Sequence, residues 1–391
     1  MNLLKKWKNS VGKGKSFRAL LTDLSKAFDC VNHDLLIAKL HAYGFDIPSL
    51  KLIYSYLNNR KQRVRINNSY SSWEEIIYGV PQGSILGPLF FNINMGDLFY
   101  FIVEWETANY ADDTTPYTSQ VNTDAVIRSL EKCALLLFKL FTYNFMKANS
   151  DKSHLLLSTN ETVTANIDNN IITNSKSEKL LGVTIDSKLD FDEHTNRLCS
   201  KASQKLSALA RISPFMKVEQ RRKIMKAFIG SQFGYCPLVW MFCSRRANNR
   251  MNRIQERALR IVYSDKTSSF DELLERDKSV SIHNRNLQVL ATEIYKVKEN
   301  LVPDTIKDIF NIIEPPYNMR RNTMFQCTSI RTQKYGLSSL SYLGPQIWNL
   351  VPRDIKNSIS LDDFRNKIKT WKTEKCPCKL CKTYIPDVGF L

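Results

Sequence analysis

Two short apolar runs of this chain end in aspartate. Residues 17–22, Phe-Arg-Ala-Leu-Leu-Thr, run into Asp23, and residues 101–110 run into Ala111-Asp112-Asp113. Runs of this length, apolar enough to be buried on at least one face, predict strands, so each carboxylate stands at a strand end. Helix patterns lie between and after them. Residues 33–43 put Leu35, Leu36, Lys39, Leu40 and Tyr43 on one helical face and stop at Gly44, and Pro48 opens a second helix through Leu57. Residues 62–66 and 73–78 predict paired strands around the turn at 67–69. Residues 79–88 are turn-rich and lead into a helix, 122–147 predict a long amphipathic helix, and 154–158 a short strand. Alternation of this kind predicts a mixed α/β layer.

Beyond residue 158 the pattern changes. Residues 180–186 predict one more strand, and 192–263 are mainly helical with basic clusters at Arg221-Arg-Lys223 and Arg245-Arg246. A helix at 282–299, a turn at Glu314-Pro-Pro316 and Cys376-Pro-Cys-Lys-Leu-Cys381 follow.

At 391 residues with 43% hydrophobic side chains, the chain has material for two or three units with real cores, which excludes a disordered or collagen-like protein. Lys and Arg number 56 against 38 Asp and Glu, a surplus of +18 that favours a polyanionic partner. The nine cysteines are mostly far apart, and the first residues carry no long apolar core of a secretory signal, so the expected setting is reducing and intracellular, nucleus or cytoplasm. No run reaches the roughly 18 to 20 apolar residues of a spanning helix. The charge is therefore assigned to phosphates, with no membrane partner.

Three acids held at strand ends repel one another unless protons or divalent cations neutralise them, and hard oxygen ligands suit Mg²⁺ bridging to substrate phosphates. Such a site performs phosphoryl or nucleotidyl transfer with two ions roughly 3.5 to 4 Å apart. An Asp after a strand is also a common turn or cap residue. Spacing alone leaves both readings open.

The surrounding residues narrow the choice. Leu20-Leu-Thr-Asp23-Leu-Ser-Lys-Ala-Phe28-Asp-Cys-Val-Asn-His33, then Gly79-Val-Pro-Gln-Gly-Ser-Ile-Leu-Gly-Pro88, then Tyr110-Ala-Asp-Asp113 resemble, in order, the A, B and C motifs of reverse transcriptases, most nearly those of non-LTR (LINE-type, jockey-like) retrotransposons. Phe145-Met-Lys-Ala-Asn-Ser-Asp-Lys152-Ser and Glu178-Lys-Leu-Leu-Gly-Val-Thr-Ile-Asp186 are similar to that family's D and E segments. Five ordered segments over roughly residues 17–190 are far more specific than a lone Tyr-x-Asp-Asp.

The resemblance implies a right-hand polymerase palm, a mixed sheet with helices, with truncated fingers because only 22 residues precede Asp23, followed by an α-helical thumb-like unit. The implied divisions are 1–190 (partial fingers, palm and primer-positioning hairpin), 191–264 (thumb-like) and 265–391 (a C-terminal region with a Cys-rich tail). It makes Asp23, Asp112 and Asp113 catalytic ligands for two Mg²⁺ or Mn²⁺ ions and Lys152 a proton donor to pyrophosphate, with Lys147 a nearby competitor. Phe28, five residues after Asp23, becomes the floor under the incoming sugar, Gln82, Gly83 and Tyr110 line the nucleotide, and Leu181 and Gly182 position the primer. The implied activity is RNA-directed DNA synthesis on an RNA template, from a DNA primer and dNTPs. A second reading is a non-catalytic nucleic-acid-binding remnant of a retroelement, and a third a structural protein in which these segments only build a core.

Cys376, Cys378 and Cys381 offer three soft ligands in six residues, which bind Zn²⁺ if a fourth donor comes from elsewhere in the chain. The five histidines form no metal pattern in the sequence, and His33 is expected to cap or pack the helix it begins.

Overall fold

The computed structural model describes the chain apart from residues 121–122, 150–151, 160, 168–169, 313–324, 328, 330–331, 333, 374, 379 and 381–391. The expected turn at Glu314-Pro-Pro316 lies outside the described residues. The chain divides into two compact units, Ser16–Leu181 and a second made of Met1–Lys15 with Gly182–Leu391.

The unit Ser16–Leu181 is built on a six-stranded sheet in the order Thr164–Ile167, Asn170–Ser175, His154–Leu157, Ser16–Leu21, Asp113–Gln120, Glu106–Tyr110. Ser16–Leu21 is antiparallel to both neighbours, whereas His154–Leu157 and Asn170–Ser175 are parallel. The sheet is therefore mixed, as the sequence predicts. Phe17, Ala19 and Leu20 are fully buried, which requires cover on both faces of this central strand. Leu20 clusters with Leu130 and Ala134 of the helix Thr123–Tyr143. A second cluster gathers Leu36 and Leu40 of His33–Ala42, Leu50 and Leu57 of Ile47–Leu57, Phe90 and Phe91 of Leu86–Asn94, and Leu140 and Phe141. Each such side chain contributes about 1.5–3 kcal/mol on burial. Asn32 caps the first of these helices by accepting from the Leu35 amide at 2.8 Å, and Asp46 caps the second by accepting from Ser49 at 3.0 Å.

Lys39 points inward on the helix face of Leu36 and Leu40, as a cation: Nζ donates to Asp97 Oδ2 at 2.9 Å and to the Asn94 carbonyl and Asn144 Oδ1. Three expectations are corrected here. The run 101–110 is not one strand. Leu98–Phe101 is helical and pairing starts at Glu106, because Ile102 and Trp105 turn into the core while Tyr100 and Phe101 face solvent. Residues 60–76 fold as two small ladders rather than one, Arg60–Gln62 with Glu74–Ile76 and Arg65–Ile66 with Ser69–Tyr70. The run 180–186 is interrupted: Leu181 and Gly182 have φ of +46° and +82°, where an extended strand cannot continue.

The other unit is mainly helical. Asp192–Ile212 packs along Arg245–Tyr263 through Cys199, Ala202, Leu206 and Leu209 on one side and Met251, Ile254, Ala258 and Val262 on the other. A further core joins Ile282–Lys298, Leu340–Leu350 and Leu361–Ile368. The helix Asn2–Gly12 buries Leu4 and Trp7 in this unit. Among the described residues no helix is long and apolar enough to cross a membrane.

Candidate active site

The hairpin Glu106–Tyr110/Asp113–Gln120 closes on the pair Tyr110 and Asp113, leaving Ala111 and Asp112 as a two-residue turn. Ala111 takes φ +53°, the left-handed conformation that tight hairpins demand. Its second strand pairs with Ser16–Leu21 from Ser16↔Gln120 to Ala19↔Tyr117, and an antiparallel bridge between Thr22 and Thr114 keeps that register. Thr22 donates to the Thr114 carbonyl twice, from its amide at 3.1 Å and its hydroxyl at 2.9 Å, and both residues are buried. Asp23 and Asp113 are the next residues along this register, and the Asp23 charge acts on the Asp113 carboxyl.

Electrostatics agree with that geometry. Partial burial pushes the Asp113 carboxyl above the usual carboxylate range, and the charges of Asp112 and then Asp23 push it further. Asp113 thus feels both other acids at the tip of the hairpin. An oxygen donor set with this excess of negative charge fits a hard divalent cation.

Lys152 joins them from the far side of the sequence. Leu24–Ser25 pairs with Lys147–Ala148, the Asp23 carbonyl accepts from the Asn149 amide at 2.9 Å, and the Asn149 carbonyl accepts from the Lys152 amide at 3.1 Å. Lys152 Nζ then lies 3.2 Å from Asp23 Oδ2. The competitor Lys147 sits in the short strand, its backbone paired to Ser25 and its side chain exposed.

The turn-rich segment docks on the residues after Asp23. Val31 and Phe28 carbonyls accept from the Gly79 and Val80 amides at 2.7 and 2.9 Å. Gly79 has φ +89°, and a Cβ there would lie 2.9 Å from Asp29 Cα, so both its conformation and its surroundings require glycine. His33 does not cap its helix, a role Asn32 fills; its Nε2 lies 2.8 Å from the accepting Gly79 carbonyl. Gln82 donates to Asp29 Oδ1 at 2.8 Å. Phe28 stacks on Phe91 with centroids 4.4 Å apart. Gly83 is exposed with φ +81°, and Tyr110 is exposed at the tip of the hairpin. Asp29, the partner of Gln82, was not singled out in the sequence; its place beside Phe28 was the available signal.

In the helical unit Arg245, Arg246, Arg250 and Arg253 line a polar cleft with Asn196 and Asn249. Arg250 donates to Asn196 Oδ1 at 2.9 Å. Cys376 and Cys378 are buried there with His283, and Cys381 lies outside the described residues.

The family model for "Reverse transcriptase (RNA-dependent DNA polymerase)" matches residues 7–185. The probable RNA-directed DNA polymerase from transposon BS of Drosophila melanogaster is 31% identical over 259 residues, which cover 62% of this chain and 28% of that protein. The RNA-directed DNA polymerase from mobile element jockey of the same species is 26% identical over 299 residues, covering 73% of this chain and 32% of that protein. The chain thus spans less than a third of the length of these relatives. Among solved structures, apo telomerase from Candida tropicalis matches with a TM-score of 0.43 and 12% identity, over 78% of this chain and 55% of that chain.

Proposed function

We propose that residues 7–185, which match the reverse transcriptase family model and resemble the polymerases of Drosophila non-LTR elements, form a reverse transcriptase domain of that kind, and that the chain carries out RNA-directed DNA synthesis, joining a dNTP to a primer 3′-hydroxyl with release of pyrophosphate. The observation that carries this reading is the Thr22–Thr114 bridge, which sets Asp23 opposite Asp113 beside the turn that holds Asp112.

In this reading Asp23, Asp112 and Asp113 hold two Mg²⁺ ions. When bound, these supply charge neutralisation at the attacking hydroxyl and the departing pyrophosphate. The side chains do the rest. The Thr22 and Thr114 hydrogen bonds fix the carboxylates on a rigid sheet, so little reorganisation accompanies the reaction. Lys152, ion-paired to Asp23, is the proton donor to the leaving group. Phe28, held by its stack on Phe91, presents a fixed ring under the sugar and selects against a 2′-hydroxyl by steric exclusion. Gln82 and Gly83 approach the nucleotide from the segment anchored at Gly79, with Tyr110 beside it, and Leu181 and Gly182 guide the primer end. Residues 191–264 act as the thumb, and the Arg245–Arg253 cleft holds template-primer phosphates without reading sequence.

Primer extension on poly-rA/oligo-dT with Mg²⁺, wild type beside Asp112→Asn, tests the proposal. Incorporation by the wild type that falls about 10³-fold or more in the variant is expected, roughly 4 kcal/mol of transition-state stabilisation. Salt-sensitive binding of RNA with no incorporation by either protein would favour the binding-remnant reading instead.

A further inference from the structure

His283 and the two cysteines Cys376 and Cys378 are separated by more than ninety residues of sequence, yet their ligand atoms all lie within 4.8 Å of one another. His283 Nε2 is 3.4 Å from Cys378 Sγ and 3.9 Å from Cys376 Sγ. Tetrahedral zinc with Zn–S near 2.3 Å and Zn–N near 2.0–2.1 Å sets neighbouring S and N ligands about 3.6 Å apart. The two separations bracket that value. All three side chains are buried, at 8% exposure or less.

We propose that His283, Cys376 and Cys378 bind a structural Zn²⁺ ion that clamps the segment after Leu361–Ile368 onto the start of the helix Ile282–Lys298. The buried, apolar surroundings suit a structural role. Cys376 and Cys378 belong to the same apolar core as Ile368, Trp371 and Leu380, which excludes water and raises the stability of metal–thiolate bonds. The helix also braces the approach independently of any metal: Gln288 Nε2 donates to the Lys369 carbonyl at 3.0 Å and the Trp371 carbonyl at 2.8 Å. Chain direction is thus set a few residues before the cysteines, so the ligands are gathered before an ion arrives. Soft thiolates with one imidazole select zinc over magnesium, so this site is chemically distinct from the carboxylates near Asp23. In the sequence Cys381 follows Cys378 with the two-residue gap common among zinc ligands; its position lies outside the described residues, and the site is assigned to the other three.

The test uses the full chain, purified without a polyhistidine tag. Elemental analysis is expected to find about one zinc per chain. Cys376→Ser/Cys378→Ser is expected to lose it, while Cys327→Ser, at an exposed cysteine, retains it. Should the double variant fail to fold, exchange of the wild type with Co²⁺ decides: thiolate-to-cobalt charge-transfer bands with intense visible bands of tetrahedral cobalt support the site. His283→Gln should shift those visible bands. Zinc retained in the folded double variant, or a wild type that carries no zinc and gives cobalt spectra without thiolate bands, would overturn the proposal.

Discussion

Lys152 Nζ lies 3.2 Å from Asp23 Oδ2, an ion pair that joins residues 129 apart in sequence. Lys152 is 67% exposed, so the pair adds less than about 1 kcal/mol to stability. Lys152→Gln is therefore expected to leave the melting temperature nearly unchanged while lowering the rate of nucleotide addition about 10²-fold. Single-turnover extension by Lys152→Arg separates the two roles of the lysine. If Lys152 is only a counter-ion, arginine restores the rate; if it donates a proton, arginine, which does not release one, stays as slow as glutamine.

Asp113 predicts how stability follows pH in the absence of metal. Its carboxyl is raised by burial, then by Asp112 and Asp23, so just above the ordinary carboxylate range the folded state holds a proton that the unfolded state has released. Stability contributed by that proton falls as pH rises through the window. Wild-type melting temperature measured without divalent ions should show this fall, Asp113→Asn should lose it, and Mg²⁺ should offset it in the wild type only.

Gly79→Ala should be destabilising by about 1–3 kcal/mol. The new Cβ would meet backbone, Asp29 Cα at 2.9 Å, and backbone cannot swing aside as a flexible side chain does. Since Gln82 is held by the side chain of the same residue, donating to Asp29 Oδ1 at 2.8 Å, extension activity should fall further than the loss of folded protein accounts for. Gly83→Ala, where a Cβ meets nothing within 4 Å, bears only the cost of its positive φ and separates the two effects in urea titrations.

Asp277 is almost wholly buried in the helical unit, where Arg222 Nε donates to it at 2.6 Å and the Tyr263 hydroxyl at 2.9 Å. Removing the guanidinium leaves a buried carboxylate short of its main partner. Arg222→Ala is expected to destabilise by about 3 kcal/mol, read from chemical denaturation. The double variant with Asp277→Asn should recover part of this loss.

Much of the site was legible because its chemistry is carried by short contiguous segments. Apolar runs ending in Asp23 and Asp112-Asp113 marked strand ends, and the structure has the strands Ser16–Leu21 and Glu106–Tyr110 there. Contacts between distant segments were not legible. Helical spacing in residues 33–43 puts Lys39 on the face of Leu36 and Leu40, but nothing there names its partners Asp97 and Asn144, which come from elsewhere in the chain. His283 is an isolated histidine until the fold brings the Cys tail to it. The break at Leu181-Gly182 was hidden by an apolar run that reads as one strand, although the glycine was the available mark of a turn.

Iron-directed backbone cleavage tests the shared metal site most directly. Fe²⁺ substituted for Mg²⁺, with ascorbate and peroxide, generates radicals that cut the chain close to the bound ion. Cuts near both residue 23 and residue 112, suppressed by excess Mg²⁺ and lost in Asp112→Asn, are the result predicted here. Cutting at one of these segments without the other, or cuts that persist unchanged in Asp112→Asn, would contradict a metal site common to Asp23 and Asp112.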